Sequence, residues 1–438
     1  MAIDVRHQAE LQVHAPAQPH EIRDAHTTTC CVVGGGPAGV LLALLLARQG
    51  IATTLLEAHT DFERDFRGDT IHPAILDILD DVGLATRLLE TVPHTEVRRV
   101  VPPFSGEVSI TVNFATLGGR FSFMTLMAQA QFLAFLVSEA RRYPAFNVVM
   151  GANVRELVEV DGIVRGIRYQ AHDGWHEVRA LLTVGADGRF SRLRRLSGLP
   201  PAVKTSPPMD ILWFHLSKQP GDPEGVMFGF HMRRGLIMLE RTDFWQVGYV
   251  LPKGGYQQLH RAGLEPFRDG IVTTVPWLRG RVDELQEWSQ FSLLSVESDR
   301  LPRWYRAGLL LIGDAAHVMS PVGGNGINYA VQDAAATANI LSGPLKTRRI
   351  SVHNLAAVQR RRNWPTRITQ AIVNQLQDRV LGPVLAGQIT PGPPPPFVAS
   401  LVNTAPVQRL VLTWMAYGLW PVHLSPGVRA EPGTPGSL

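Results

Sequence analysis

Three short segments of this 438-residue chain carry residue types and spacings that could do chemistry. The first is Gly34-Gly35-Gly36-Pro37-Ala38-Gly39, with G-x-G-x-x-G spacing, between the short apolar run Cys30-Cys31-Val32-Val33 and the longer one from Val40 to Ala47. In that setting the first glycine permits a tight turn, the second lets the backbone approach a pyrophosphate, and the third lets a helix pack on a strand. The N-terminus of the helix offers N–H groups and a partial positive charge to phosphate, with Pro37 and Ala38 in its first turn. Glycines also cluster in ordinary turns, and Glu57 taken alone reads as a surface acid. The strand–helix context decides otherwise: Glu57 ends the next apolar run, Thr53-Thr54-Leu55-Leu56, about where a carboxylate meets an adenosine ribose. An acid there disfavours a 2′-phosphate, so the site suits FAD or NAD over NADP.

The second segment is Gly185-Ala186-Asp187-Gly188, followed by Ser191 and Arg194. The third is Gly313-Asp314-Ala315-Ala316-His317, followed by Pro321, Gly323, Gly324, Gly326 and Asn328. A simple NAD dehydrogenase uses neither. An Asp after a buried strand can accept a hydrogen bond from a ribityl hydroxyl. Glycines just before a helix let N–H groups point at a flavin ring or a developing oxyanion. An isolated Asp-Gly pair is ordinarily a turn, but the pattern from Gly313 to Asn328 is too specific for that.

The elements needed to position these segments can be read around them. Strand, Gly-rich turn, helix and strand form a βαβ opening, which implies a parallel sheet. Helical periodicity runs from residue 74 to 90, and a helix is expected from about Ala130 to Arg142. Strand-like alternation spans 99–127, including Val108, Ile110, Val112 and Phe114, and Asp161-Gly162 signals a hairpin. Residues 206–300 are rich in aromatics between Gly, Pro and Asp, which reads as an antiparallel layer. Gly308 to Ile312 returns to the buried-strand pattern, and the last ninety residues are mainly helical, interrupted by Pro391 and the run Pro393 to Pro396. The resulting fold class is α/β, with four parts. Residues 1–27 are a flexible arm. Residues 28–98, 128–205 and 300–345 form a Rossmann-like nucleotide domain. Residues 99–127 and 206–299 form an inserted antiparallel substrate sheet, and 346–438 a C-terminal helical region.

Composition narrows the class further. Hydrophobic residues make up 45% and charged residues 18%, enough to build a large core. The surplus of 42 basic over 38 acidic residues is small and scattered in pairs such as Arg98-Arg99, so nucleic acid is not an expected partner. Cys30 and Cys31 are adjacent, which frames neither a disulfide nor a metal site. No secretory signal is visible and the Val40–Ala47 run is too short to span a bilayer, so a cytoplasmic monomer or homodimer is expected.

Taken together, the motifs resemble the class A flavoprotein monooxygenases of the p-hydroxybenzoate hydroxylase type, which carry the same three segments in the same order. The resemblance covers about residues 30 to 345 and implies a glutathione reductase-type FAD domain. It assigns Gly34, Gly36, Pro37, Ala38, Gly39, Glu57, Arg67, Gln129 and Asp314 to FAD, and the backbone of Gly326, Ile327 and Asn328 to the isoalloxazine ring. Asp187 and Gly188 fall in the motif used for both FAD and NAD(P)H, supported by Arg194, and Pro321 shapes the approach of oxygen. NADH or NADPH serves as a transient electron donor without a second nucleotide fold, which fits the single G-x-G-x-x-G. The implied reaction uses O2 to form a flavin C4a-hydroperoxide and inserts one oxygen atom into an aromatic or polyketide-like small molecule.

The family's substrates lie between the inserted sheet and the flavin. Strand alternation proposes Trp213, Phe228, Phe230, Met238 and Tyr249, with Trp245, as an aromatic pocket for a planar ligand. His215 is the candidate base for a phenol proton, against the alternative of a satisfied core histidine, and His317 reads as structural. No carboxylate-binding Arg–Tyr set is visible in that sheet. The apolar stretch Leu410 to Tyr417 reads as a helix packed on the core, with attachment to a membrane or dimer partner as its alternative. Baeyer–Villiger oxygenation, epoxidation and a non-catalytic FAD-binding role remain alternatives. Flavin halogenation does not fit, because Trp213-Phe214-His215 lacks the W-x-W-x-I-P pattern and none of the four lysines has the required context.

Overall fold

Strand β1 (Ile22–Val33) ends in four consecutive buried residues, as a strand covered on both faces must. The computed structural model describes residues 21–63, 70–101, 112–231, 233–389, 400 and 404–430. β1 pairs in parallel with β2 (Thr53–Leu56) on one side and with the strand Gly174–Gly185 on the other. Leu309–Leu311 and Phe146–Val149 extend the parallel core outward on the two sides. Helix α1 (Pro37–Arg48) crosses from β1 to β2 and is buried at every position after Pro37, because the sheet lies on one side and the helix Gly326–Lys346 on another. Cys30 and Cys31 are fully buried within this core, and burial pushes the Cys30 thiol up to about 12.

The expected arm of residues 1–27 is too long. β1 begins at Ile22, and its polar first half pairs with Trp175–Ala180. There the strand gains ladder hydrogen bonds from a protruding hairpin without burying side chains, so it leaves no hydrophobic signal. The helix expected over 74–90 is two helices, Pro73–Asp80 and Ala85–Thr91, separated by Gly83 at φ +74°.

A second, seven-stranded sheet is drawn from two separated stretches. Its order is Ser292–Ser295, Met209–Ser217, Phe244–Pro252, Arg234–Glu240, Val226–His231, Arg99–Val101 and Val112–Asn113. All neighbours are antiparallel except Val226–His231 against Arg99–Val101. The stretch 99–127 does not belong to it throughout. Met124–Met127 pairs instead with Thr70–Ile71 and His94–Val97 in a small separate sheet. Val97, Met124 and Leu126 pack there with Phe114 and Val226, so apolar contact between the two sheets decides the boundary. Val108, Ile110 and Pro391 to Pro396 lie outside the described residues.

One face of the large sheet is covered by the helices Tyr256–Ala262 and Leu264–Thr274, and the other turns toward Val322 and Leu385. At the C-terminal end, the helix Ala405–Tyr417 buries Leu412 and Ala416 against Phe114 and its neighbours, while Leu410 stays 72% exposed. No helix among the described residues is long and apolar enough to cross a membrane.

Candidate functional site

The parallel order of the first sheet sets the site. From Leu309–Leu311 through Gly174–Gly185 and β1 to β2, the carboxyl ends of the strands lead into Gly313-Asp314, Ala186-Asp187, the Gly34–Gly39 turn and Glu57. Ligands of open α/β sheets bind at such carboxyl ends. The turns are also in direct contact. A Cβ on Gly34, whose φ is +108°, would lie 2.3 Å from the Ala186 carbonyl oxygen. A Cβ on Gly39 would lie 1.9 Å from the Gly34 oxygen, and one on Gly313 would lie 3.2 Å from the Ala38 methyl.

Glu57 is buried and braces the fingerprint turn. Its Oε2 accepts from the Gly35 N–H at 2.6 Å, and its Oε1 accepts from the His59 N–H at 2.9 Å. The same Oε1 also meets His59 Nδ1 at 2.7 Å, so the carboxylate ties the fingerprint turn to the start of the following loop. Asp187 serves its own segment: it accepts from Ser191 Oγ at 2.5 Å and from the Leu193 N–H at 3.0 Å, starting the short helix Arg192–Leu196. Burial raises the Asp187 carboxyl above its ordinary range, and these hydrogen bonds oppose the rise.

Arg194, carried by that helix, joins the second motif to the third. It donates to the Ala315 carbonyl at 2.8 Å and the Asp314 carbonyl at 2.6 Å, and pairs with Asp299 at 2.7 Å. Arg194→Met is expected to weaken FAD binding about tenfold or more, since two charge-assisted hydrogen bonds that fix the Asp314 segment are lost. Equilibrium dialysis of flavin against the variant checks this, and unchanged affinity would refute it.

Pro321 to Gly324 forms a turn closed by the Gly324 N–H on the Pro321 carbonyl at 2.9 Å, with Gly323 and Gly324 at φ +86° and +65°. It leads into the helix Gly326–Lys346, whose first N–H groups at Gly326, Ile327 and Asn328 have no intrahelical acceptor. The Asn328 side chain is turned inward, bonded to Gln332 at 2.9 Å, so any contact at Asn328 is through its backbone. His72, whose direction the sequence leaves open, holds this turn. Fully buried, it reaches the Gly324 carbonyl through Nε2 at 3.1 Å. Burial lowers its pKa from 6.5 to about 4. Between those values an unfolded chain takes up a proton that the folded chain resists, so stability falls as pH falls through that window, by about 3 kcal/mol in all. Urea titrations of His72→Gln and wild type between pH 7 and 4 are expected to show a flatter dependence in the variant.

Two features test whether FAD fits here. A Cβ on Gly36 would meet nothing within 4 Å, so backbone is open where a pyrophosphate must approach. Asn325 Nδ2, at the head of the Gly326–Lys346 helix, is buried without a partner, a donor waiting for a polar ligand. Both fit. Gln129 stands at the first turn of the helix Gln129–Ala140 and lines a cleft of about 430 Å³ with Arg241, Phe244, Gln246 and His215. Arg67 lies outside the described residues.

The large sheet corrects the pocket. Register places Phe228, Ile237, Gly248 and Trp213 in one row across four strands, and Gly235, Val250 and Ile211 in the next on the same face; the side chain of Phe230 lies outside the described residues. This is the face that meets Val322 of the Pro321–Gly324 turn. Met238 and Tyr249, with Trp245, lie on the opposite face, buried with Phe267 beneath the two covering helices. They are core rather than pocket, because adjacent positions of a strand point to opposite faces. His215 is not a core histidine. It is exposed at the edge of the cleft, with its ring 4.4 Å from that of Phe244. Three of the four lysines are engaged elsewhere: Lys218 with Glu240, Lys253 with Asp210, and Lys346 with Gln49.

A group missed in sequence lies under the third motif. Asp333 accepts from the Gly313 N–H at 3.0 Å, from His317 Nε2 at 2.7 Å and from Arg362 Nε at 2.8 Å. All three side chains are buried. The available signal was a lone acid in an Ala-rich apolar stretch, but its partner lies 29 residues away.

Comparison with known proteins agrees with this geometry. The model of the FAD binding domain family matches residues 27–371. Over 398 residues the chain is 35% identical to 6-methylpretetramide 4-monooxygenase of Streptomyces rimosus, covering 90% of this chain and 93% of that protein. Pentachlorophenol 4-monooxygenase of Sphingobium chlorophenolicum is 25% identical over 320 residues, and the chain covers 55% of that longer protein. The solved structure of OxyS anhydrotetracycline hydroxylase from Streptomyces rimosus shares the fold, with a TM-score of 0.70 at 19% identity over 89% of this chain and 76% of its own. With its three motifs in contact along one sheet edge and its family match across most of its length, the chain belongs to the class A FAD-dependent monooxygenases.

Proposed function

We propose that this monooxygenase hydroxylates a planar, polycyclic aromatic or polyketide-like molecule held against the sheet row Phe228, Ile237, Gly248 and Trp213. The observation that carries the reading is that this apolar row faces the Pro321–Val322 turn, on the side of the sheet opposite the helices Tyr256–Ala262 and Leu264–Thr274. The relative from Streptomyces rimosus, named for 6-methylpretetramide, supports a fused-ring substrate.

FAD supplies the redox chemistry when bound, taking electrons from NADH or NADPH and activating O2. The chain would position it: the α1 N-terminus and Gly36 would hold the pyrophosphate, Glu57 the ribose, and Gln129 and Asp314, with Arg67 from the family resemblance, the remainder of the chain linking the two rings. Backbone N–H groups of Gly326, Ile327 and Asn328 would be offered to the flavin ring. Asp187 acts through Ser191 and the Arg192–Leu196 helix, which aims Arg194 at the third motif. Pro321 and Val322 wall off water next to the substrate row, and His215 accepts a phenol proton at a ring nitrogen from the cleft side.

The test is anaerobic mixing of the FAD-loaded protein with NADH and with NADPH while flavin absorbance is followed, then turnover of 6-methylpretetramide under labelled O2. One labelled oxygen on a ring carbon is the expected product. Label within an expanded ring would identify Baeyer–Villiger oxygenation, and label in an epoxide would identify epoxidation. Absence of flavin reduction by either nucleotide would refute the reading.

A further inference from the structure

Trp213 is 9% exposed, and its indole Nε1 has no hydrogen-bond partner. The side chain belongs to an apolar cluster with Ile211, Val250, Val322, Leu381 and Leu385, and Ser292 is its ladder neighbour on the side away from Gly248. Its placement is determined by the residue across the ladder: a Cβ on Gly248 would stand 2.9 Å from the ring atom Cζ3 and 3.0 Å from Cη2. The benzo edge of the indole therefore covers Gly248, and the pyrrole N–H lies off that contact. An N–H buried among apolar groups without an acceptor costs free energy, and a ligand that brings an acceptor removes the cost. The same feature gives discrimination, because a site with a buried donor rejects an analogue of equal shape that leaves the donor unpaired.

We infer that Trp213 is a specificity-determining residue whose indole N–H donates a hydrogen bond to an oxygen on the substrate's ring system. The substrate class is then an oxygenated planar polycycle, with a carbonyl, enol or phenol oxygen over the Trp213–Gly248 position, rather than a bare aromatic hydrocarbon. The inference rests on the pocket face proposed above.

The test uses FAD-loaded protein and two probes of one shape, anthraquinone-2-sulfonate, which carries ring carbonyls, and anthracene-2-sulfonate, which does not. Binding is read from perturbation of the flavin spectrum. Trp213→Phe removes the donor, and site-specific replacement of Trp213 by benzothienylalanine removes it while keeping the ring shape, so misfolding cannot mimic the result. Wild type is expected to bind the quinone about tenfold more tightly than the hydrocarbon, and the benzothienylalanine protein to bind both within about twofold. Equal discrimination in both proteins would overturn the role of Trp213 and leave the aromatic pocket standing. Wild-type protein that binds neither probe, and shows no NAD(P)H oxidation stimulated by any fused-ring phenol, would overturn the pocket face and this inference with it.

Discussion

Arg362→Met is expected to lower the free energy of unfolding by about 3–5 kcal/mol, the penalty of leaving a buried charge without its partner. Arg362 and Asp333 are both 0% exposed, and Arg362 Nε lies 2.8 Å from Asp333 Oδ1. The guanidinium also donates to Gln332 at 3.3 Å and sits 5.3 Å from the Tyr329 ring centroid. Burial alone would raise the Asp333 carboxyl; His317 and Arg362 more than offset this and hold it below its ordinary range. Methionine restores most of the volume but none of the charge, leaving the carboxylate with the Gly313 N–H and His317. The double variant Arg362→Met with Asp333→Asn is expected to be less damaged than the single one, because it removes the stranded charge. Urea unfolding of the three proteins decides the matter. A loss below about 1 kcal/mol in the single variant would show that the pair contributes little. Because Asp333 also holds the Gly313 N–H, the FAD-free and FAD-loaded proteins are expected to differ, with the loaded form losing affinity as well.

The second large effect separates two glycines of one turn. Gly39→Ala places a Cβ 1.9 Å from the Gly34 carbonyl oxygen, a backbone atom that cannot yield without moving the turn against Ala186. The expected result is protein purified with under about a tenth of the wild-type flavin and with reduced stability even when FAD-free. Gly36→Ala meets nothing within 4 Å, so its FAD-free stability is expected to stay within about 0.5 kcal/mol of wild type. Its FAD affinity is nevertheless expected to fall at least about tenfold, because the methyl group would stand where such a fingerprint brings a pyrophosphate close. Flavin content together with thermal unfolding of both FAD-free proteins checks the pair. Equal FAD affinity in Gly36→Ala and wild type would place the pyrophosphate elsewhere.

The sequence by itself determined the local turns on which the proposed chemistry rests. The glycines of the fingerprint, Glu57, the Asp187 turn and the Gly313 to Asn328 run are legible because such turns need particular residues at fixed short spacing, set by backbone sterics. The α/β class followed from a short apolar strand, a Gly-rich turn and a helix in succession. What the tertiary structure alone decided is which distant residues meet. Arg194 on the Asp314 carbonyl, Arg362 on Asp333 and His72 on Gly324 join segments 29 to 252 residues apart, and no local pattern encodes such contacts. The side of the sheet on which each aromatic lies was likewise decided by register and by the helices from Tyr256 to Thr274. Alternation showed that Met238 and Tyr249 point to one side of their strands, but not that this side is the one the helices cover. The polar first half of β1 was equally silent, because it is held by backbone hydrogen bonds rather than by burial.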